Sequence, residues 1–312
     1  MPSKGTLSGK VVIVTGSGGG AGRNTARTLA GEGAKVVVND VRDGAADAVV
    51  AEIRDARGEA VAVTASVAEV DGAAAIVAAA VDAFGRVDVL VNNAATLRRH
   101  LVQEMPVEDW DDVIAVVLRG TFLCCRAAIP YLIESGAGRI VNTSSTAGLA
   151  AIPGTSAYGA AKAGIVSLSA LLAKELAFYN VTVNVVEPLG GGGGGGSLLA
   201  SNPMSELTQR VRLAYGWWFP PVPADAPPPP DGPLPSPLGS LVAFLASDEA
   251  GYVNGQLIGI TESSIRLWSG YEVARTMFFE AGLTPEVLEE RFRSTLGEGL
   301  ANPIPELPDL PR

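Results

Sequence analysis

Histidine and cysteine are almost absent from this sequence. Its one histidine, His100, and its two cysteines, Cys124 and Cys125, are too few to build a zinc site from nitrogen and sulfur ligands. The cysteines are neighbours in an apolar stretch, where they read as small buried hydrophobes rather than as a disulfide or a metal pair. Basic residues are scarce too. Lys and Arg number 23 against 33 Asp and Glu, a formal charge of −10, and they cluster no further than pairs such as Arg98-Arg99. The electrostatic footprint of a nucleic-acid binder is therefore missing. No run of eighteen uncharged apolar residues occurs, so no membrane span is expected. The opening "MPSKGTLSGK" lacks the apolar centre of a secretion signal, and the expected location is the cytoplasm.

What is present is globular: 47% hydrophobic residues, 18% charged, in 312 positions. Short β-branched runs recur at 10–16, 34–40, 59–65, 87–93, 138–144, 181–187 and 255–260. Ala-rich segments with helical spacing lie between them, at 21–32, 44–57, 70–84, 107–135 and 155–179. The strand runs are apolar almost throughout, as strands must be when helices cover both faces of a parallel sheet. This alternation predicts an α/β fold, a Rossmann-like doubly wound sheet of about seven strands. One dinucleotide-binding domain over 1–262 is expected, with a tail over 263–312. Residues 190–237 break the rhythm with seven glycines (Gly190 to Gly196), a possible amphipathic helix near 203–214, the cluster Trp217-Trp218-Phe219 and a proline-rich stretch. An insertion of that length in a compact domain reads as a flexible substrate lid or a disordered segment. The tail carries a helical pattern near 284–296 and ends in "NPIPELPDLPR", which cannot continue a helix.

Three motifs carry chemistry. "VTGSGGGAGR" (14–23) sits between the first strand and the first helix. Glycine there lets the chain turn tightly and brings a pyrophosphate onto main-chain N–H groups at a helix N-terminus. Asp40 ends the second strand, about 20 residues on, where a carboxylate accepts the adenosine ribose hydroxyls and repels a 2′-phosphate. NAD is thereby favoured over NADP, although Arg42 stands close by. Finally, "YGAAK" places Tyr158 and Lys162 at i and i+4 on one helix face. An ammonium beside a phenol stabilises phenolate and would lower the tyrosine's pKa toward neutrality, making it a usable acid or base.

In order along the chain come TGxxxGxG, an acid after the second strand, "NNA" after the fourth, a serine after the fifth and YxxxK in the next helix. In this combination the sequence resembles the short-chain dehydrogenase/reductase family over about 7–189 and 235–262. The resemblance implies that Gly16, Gly20 and Gly22 line the pyrophosphate and that Asp40 meets the ribose. It implies that Asn92 and Ala94 pack beside the cofactor and brace the sheet, and that Pro188 belongs to the cofactor site. Tyr158 would exchange a proton with the substrate oxygen, and Lys162 would hold the nicotinamide ribose. The family's serine stands thirteen positions before the tyrosine, which selects Ser145 over Ser144. Its hydroxyl would polarise the substrate oxygen as hydride moves to or from the adjacent carbon.

The sequence departs from the family at four places. "NNAG" reads "NNAA", with Ala95 adding a methyl near the cofactor. The Asp-Val after the third strand reads Ser66-Val67. Val117 stands where many members carry a catalytic asparagine that helps connect the lysine to solvent. After Pro188, the position of a threonine that holds the nicotinamide carboxamide falls on Gly193, inside a run that is a degenerate linker or an engineered replacement. The expected activity is hydride transfer between NAD(H) and an alcohol or ketone, without a metal. Leu198, Leu199 and the lid aromatics suggest a hydrophobic or cyclic small molecule. The alternative is a catalytically weakened member that binds NAD as a sensing module. The resemblance also implies a homodimer or homotetramer, assembled through the helices at 107–135 and 155–179.

Overall fold

The computed structural model describes residues 5–188, 204–215, 236–261, 263–270 and scattered positions between 274 and 298. The glycine run, the lid aromatics and most of the 284–296 pattern lie outside the described residues. The chain divides into two units, Met1–Trp268 and Ser269–Arg312. Within the second, the Phe292 N–H donates to the Leu288 carbonyl at 2.8 Å, one turn of helix.

The first unit is built on one eight-stranded sheet. Its strands are β1 (Val11–Val14), β2 (Lys35–Asp40), β3 (Glu59–Thr64), β4 (Val89–Asn92), β5 (Arg139–Thr143), β6 (Thr182–Pro188), β7 (Leu257–Ile260) and β8 (Ile265–Leu267). Their spatial order is β3-β2-β1-β4-β5-β6-β7-β8. All neighbours are parallel except β7 and β8, which pair antiparallel with Gly259 opposite Arg266. The seven parallel strands are those the apolar runs predict. β8 is too short and too polar around it to show in the sequence, and it caps the edge of β7.

The helices are α1 (Gly20–Gly31), α2 (Ala45–Asp55), α3 (Val70–Phe84), α4 (Val107–Val113), α5 (Gly120–Glu134), α6 (Thr146–Leu149), α7 (Ser156–Glu175), α8 (Glu206–Tyr215) and α9 (Pro237–Ala246). A π-helical turn, Ile114–Arg119, joins α4 to α5. Period-2 alternation sends consecutive strand residues to opposite faces. Val12 and Val14 of β1 therefore pack with Leu29, Val49 and Leu241, in a core under α1, α2 and α9. Val11 and Ile13 pack with Ile76, Leu123 and Leu172, in a second core under α3, α5 and α7. Two helical stretches, Val107–Glu134 and Ser156–Glu175, are long and apolar enough to cross a membrane by length and composition alone. Both supply residues to cores against the sheet or each other, which accounts for their apolar faces. Cys124 and Cys125 are free and buried in the second core, and burial pushes both thiols up to about 12.

The chain winds outward from β1 toward β3 and from β4 toward β7. The direction reverses between β1 and β4, and the crevice beyond the carboxyl ends of strands at such a switch is where open α/β sheets bind ligands.

Candidate active site

The glycine turn after β1 is shaped for close approach. Gly16 has φ +60°, in the left-handed region, and a Cβ there would stand 2.6 Å from the Cα of Ala94. At Gly22, in the first turn of α1, a Cβ would stand 2.4 Å from the Gly16 carbonyl oxygen. The turn and the helix thus touch backbone to backbone, which only glycine permits. The N-cap of α1 is Gly19, whose position offers no side-chain oxygen to its first N–H groups. Those groups and the helix dipole are left to an anion.

Two residues not singled out from the sequence hold this turn. The Thr15 hydroxyl accepts the N–H groups of Asn93 at 3.0 Å and Ala94 at 3.1 Å. The Asn93 amide donates to the carbonyls of Thr15 and Gly16 at 3.0 and 2.9 Å. Both lie within quoted motifs, so their positions were visible though their role was not. Asn92 turns the other way: its amide donates to Asn142 Oδ1 at 2.8 Å and to Cys125 Sγ at 3.3 Å, inside the sheet. Asn142 continues the chain to Ser169 Oγ at 2.8 Å. Asn92 therefore braces β4 against β5, while Ala94 lies against the glycine turn.

Asp40 ends β2 beside this turn. Its Oδ2 accepts the Gly18 N–H at 3.1 Å, and its Oδ1 accepts the main-chain N–H and Nε of Arg42, each at 3.0 Å. Burial disfavours the charge, but Arg42 and the backbone donors together outweigh it and hold the carboxyl below its usual range. Ser66 keeps its hydroxyl local, accepting the Ala68 N–H at 3.2 Å.

The second half of the site lies at the carboxyl ends of β5 and β6. Ser145 is the N-cap of α6, and its Oγ accepts the Ala147 N–H at 3.3 Å. The Tyr158 hydroxyl lies near the Ser145 side chain, whose hydroxyl favours the phenolate. Lys162 is buried, and its Nζ donates to the Thr143 carbonyl at 2.6 Å and the Thr143 hydroxyl at 3.0 Å. Pro188 closes β6 opposite Ile260 on the same edge. The structure therefore brings Ser145, Tyr158 and Lys162 together.

The electrostatics differ from the sequence expectation. Burial pushes the Tyr158 phenol up to about 12, despite the opposing influence of the nearby Ser145 hydroxyl. Lys162 does not depress it, because Nζ is turned onto Thr143 and lies 5.6 Å from the Tyr158 ring centroid. Burial also lowers Lys162 itself, to about 7. The sign of the consequence is fixed: between about 7 and the ordinary lysine value, the unfolded chain binds a proton that the folded chain does not. Lys162 therefore contributes stability that increases as pH rises across that window. Lys162→Met should melt above the wild type at pH 6.5, with the difference shrinking by pH 9. Thermal denaturation across that range checks this; a gap that widens with pH would refute it.

Val117 lies fully buried in the π-helical turn, in a small apolar cluster with Val113, Ala157, Ala161 and Ile165. Tyr158 and the methyl of Ala95 pack against that cluster. The departure at Ala95 is thus absorbed by packing, and the segment Asn93–Ala95 links the glycine turn to the tyrosine. The Val117 side chain offers no polar group, and its carbonyl accepts the Thr121 hydroxyl at 2.8 Å.

A doubly wound sheet with a glycine turn at its switch point, and a Ser-Tyr-Lys set beyond β5, two strands from β1, defines a dinucleotide-dependent oxidoreductase of the short-chain kind. The family profile "short chain dehydrogenase" matches residues 10–191, and the chain belongs to that family. It is 39% identical over 256 residues to a 3-oxoacyl-(acyl-carrier-protein) reductase of Synechocystis, covering 81% of this chain and 96% of that protein. A putative short-chain type dehydrogenase/reductase of Mycobacterium tuberculosis is 46% identical over 208 residues, covering 64% of this chain and 73% of that one. The crystal structure of a short chain dehydrogenase from Mycobacterium avium superposes with a TM-score of 0.78 at 37% identity, covering 98% of this chain and all of that one.

Proposed function

We propose that this chain transfers a hydride between NAD(H) and a carbonyl or alcohol carbon of a hydrophobic or cyclic small molecule. The observation that carries the reading is the grouping of Ser145, Tyr158 and Lys162 beyond β5, with Lys162 Nζ 5.6 Å from the Tyr158 ring centroid and Tyr158 packed, like Ala95, against one apolar cluster. A dinucleotide fits the residues present: the backbone cradle of Gly16 and Gly22 is one that a Cβ would fill, and α1 begins without a side-chain cap. Gly16, Gly20 and Gly22 would hold the pyrophosphate and Asp40 the ribose. When bound, the nicotinamide supplies or accepts the hydride.

The side chains then divide the remaining work. Ser145 Oγ accepts the Ala147 N–H, which leaves its proton to donate to the substrate oxygen or to the Tyr158 oxygen once that has given up its proton. Tyr158, with its pKa near 12, is protonated at neutral pH. That is the form needed to give a proton to the oxygen of a carbonyl being reduced. Lys162, with its pKa near 7, changes charge in the working range and would orient the nicotinamide ribose. Relatives named as 3-oxoacyl-(acyl-carrier-protein) reductases support the reductive direction.

The NAD preference rests on Asp40, whose carboxylate holds Arg42 away from a 2′-phosphate. Asp40→Ser should weaken kcat/KM with NADH by about 10- to 100-fold, the worth of hydrogen bonds to a charged group. The same change frees Arg42 and should improve use of NADPH. A panel of ketones and alcohols assayed with both cofactors tests the whole reading: no turnover with either would refute it, and equal use of both would remove the assigned role of Asp40. The exposed Phe122 of α5 and Leu171 of α7 support a homodimer or homotetramer through those helices. A monomer in light scattering at micromolar concentration would contradict that assembly.

A further inference from the structure

Glu187 is fully buried, one residue from the end of β6, and the chemistry described so far makes no use of it. Strand alternation puts its side chain on the face of Val183, which belongs to the core under α7. Its Oε1 meets the Thr146 hydroxyl at 2.5 Å, while Oε2 has no hydrogen-bond partner among the described residues. Across β7, Glu187 is opposite Gly259, and Gly259 is opposite Arg266 of β8. The Trp268 indole N–H is likewise buried and unpaired by strict geometry, yet the indole and Arg266 both favour the ionised form of this acid against burial, which pushes its pKa up.

Thr146 directly follows Ser145. It opens α6, a helix of four residues, too short to fix its own geometry through backbone bonds. The direction of the Ser145 hydroxyl must therefore come from tertiary anchors. One is its cap onto the Ala147 N–H; another is the Ser144 hydroxyl, which donates to the Lys162 carbonyl at 3.1 Å. The anchor to β6 is the Thr146–Glu187 bond.

We infer that Glu187 is a positioning residue for the Ser145–Tyr158 pair: by holding Thr146 to the end of β6, it fixes the turn that presents the serine hydroxyl. This rests on the oxidoreductase reading for its kinetic consequence but not for its structural one. A carboxyl is suited to the task because the hydroxyl it holds is buried, and a charged or short acceptor gives the stronger bond there.

The test has two readouts. In the first, amide hydrogen exchange of the full chain follows Ala147 against Val141 and Val185 in the sheet. Glu187→Leu and Thr146→Val should each cut protection of Ala147 about tenfold and leave the two strand amides unchanged. Glu187→Gln and Thr146→Ser, which keep an acceptor and a hydroxyl, should preserve most of it. In the second, Glu187→Leu and Thr146→Val should each lower kcat about 10- to 100-fold with the NADH dissociation constant unchanged. The double variant should be no worse than either single one, since both break one link. Unchanged protection of Ala147, or additive kinetic losses, would overturn the inference. A wild-type chain without turnover would refute the oxidoreductase reading instead, and the exchange experiment would still decide the anchor.

Discussion

Tyr158→Phe should lower kcat for carbonyl reduction by about three orders of magnitude while leaving NADH affinity unchanged. Proton transfer from a positioned side chain is typically worth about 10²- to 10⁴-fold. This substitution removes the proton and nothing else of comparable size. The ring packs against the Val117–Ala157–Ile165 cluster, and phenylalanine fills the same space. What is lost is the hydroxyl beside Ser145. The melting temperature should move by a few degrees at most, because a single partly buried hydrogen bond is worth about 1 kcal/mol. Steady-state kinetics, an NADH fluorescence titration and a melt on the same preparation check the three parts. Retention of a tenth or more of the activity would show that another group delivers the proton. Equal, near-zero turnover by both proteins with intact NADH binding would favour the sensing-module reading.

Gly22→Ala should raise the NADH dissociation constant by at least 100-fold. One methyl is enough, because the Cβ would stand 2.4 Å from the Gly16 carbonyl oxygen, 2.5 Å from Asn93 Nδ2 and 2.8 Å from the Ser17 Cα. Two of these three atoms are backbone, so the cost cannot be relieved by swinging a side chain. The turn must lift off α1, and it takes with it the Gly16 carbonyl that Asn93 holds. Overpacking of this kind costs about 1 to 3 kcal/mol in stability, so the chain should still fold. Cofactor binding depends on the turn's shape and suffers far more. Gly31, at the other end of α1, is the control: a Cβ there meets nothing within 4 Å. Gly31→Ala should bind NADH normally and melt slightly higher, since alanine is the better helix former. Similar affinities in the two variants would show that the glycine turn does not bind the pyrophosphate.

The sequence by itself determined the parallel strands, the helices that cover them and the membership of the short-chain dehydrogenase family. These features have local causes. Apolar runs of strand length, helical periodicity and glycine spacing report on residues close in the chain; the i, i+4 spacing marked Tyr158 and Lys162, and the family resemblance selected Ser145. Tertiary structure decided which way those groups push one another. The i, i+4 relation put Lys162 and Tyr158 on one face, but only the fold turned the ammonium onto Thr143, buried the lysine and enclosed much of the tyrosine. Burial then raised the phenol and lowered the amine. In the same way, "NNA" marked a site without dividing its labour: Asn92 faces Asn142 inside the sheet, whereas Asn93 holds the glycine turn. The link from Glu187 to Thr146 joins residues 41 positions apart, and β8 is too short to carry a periodic signal. Desolvation and long-range hydrogen bonds depend on what surrounds a group in three dimensions, and no spacing along the chain encodes that.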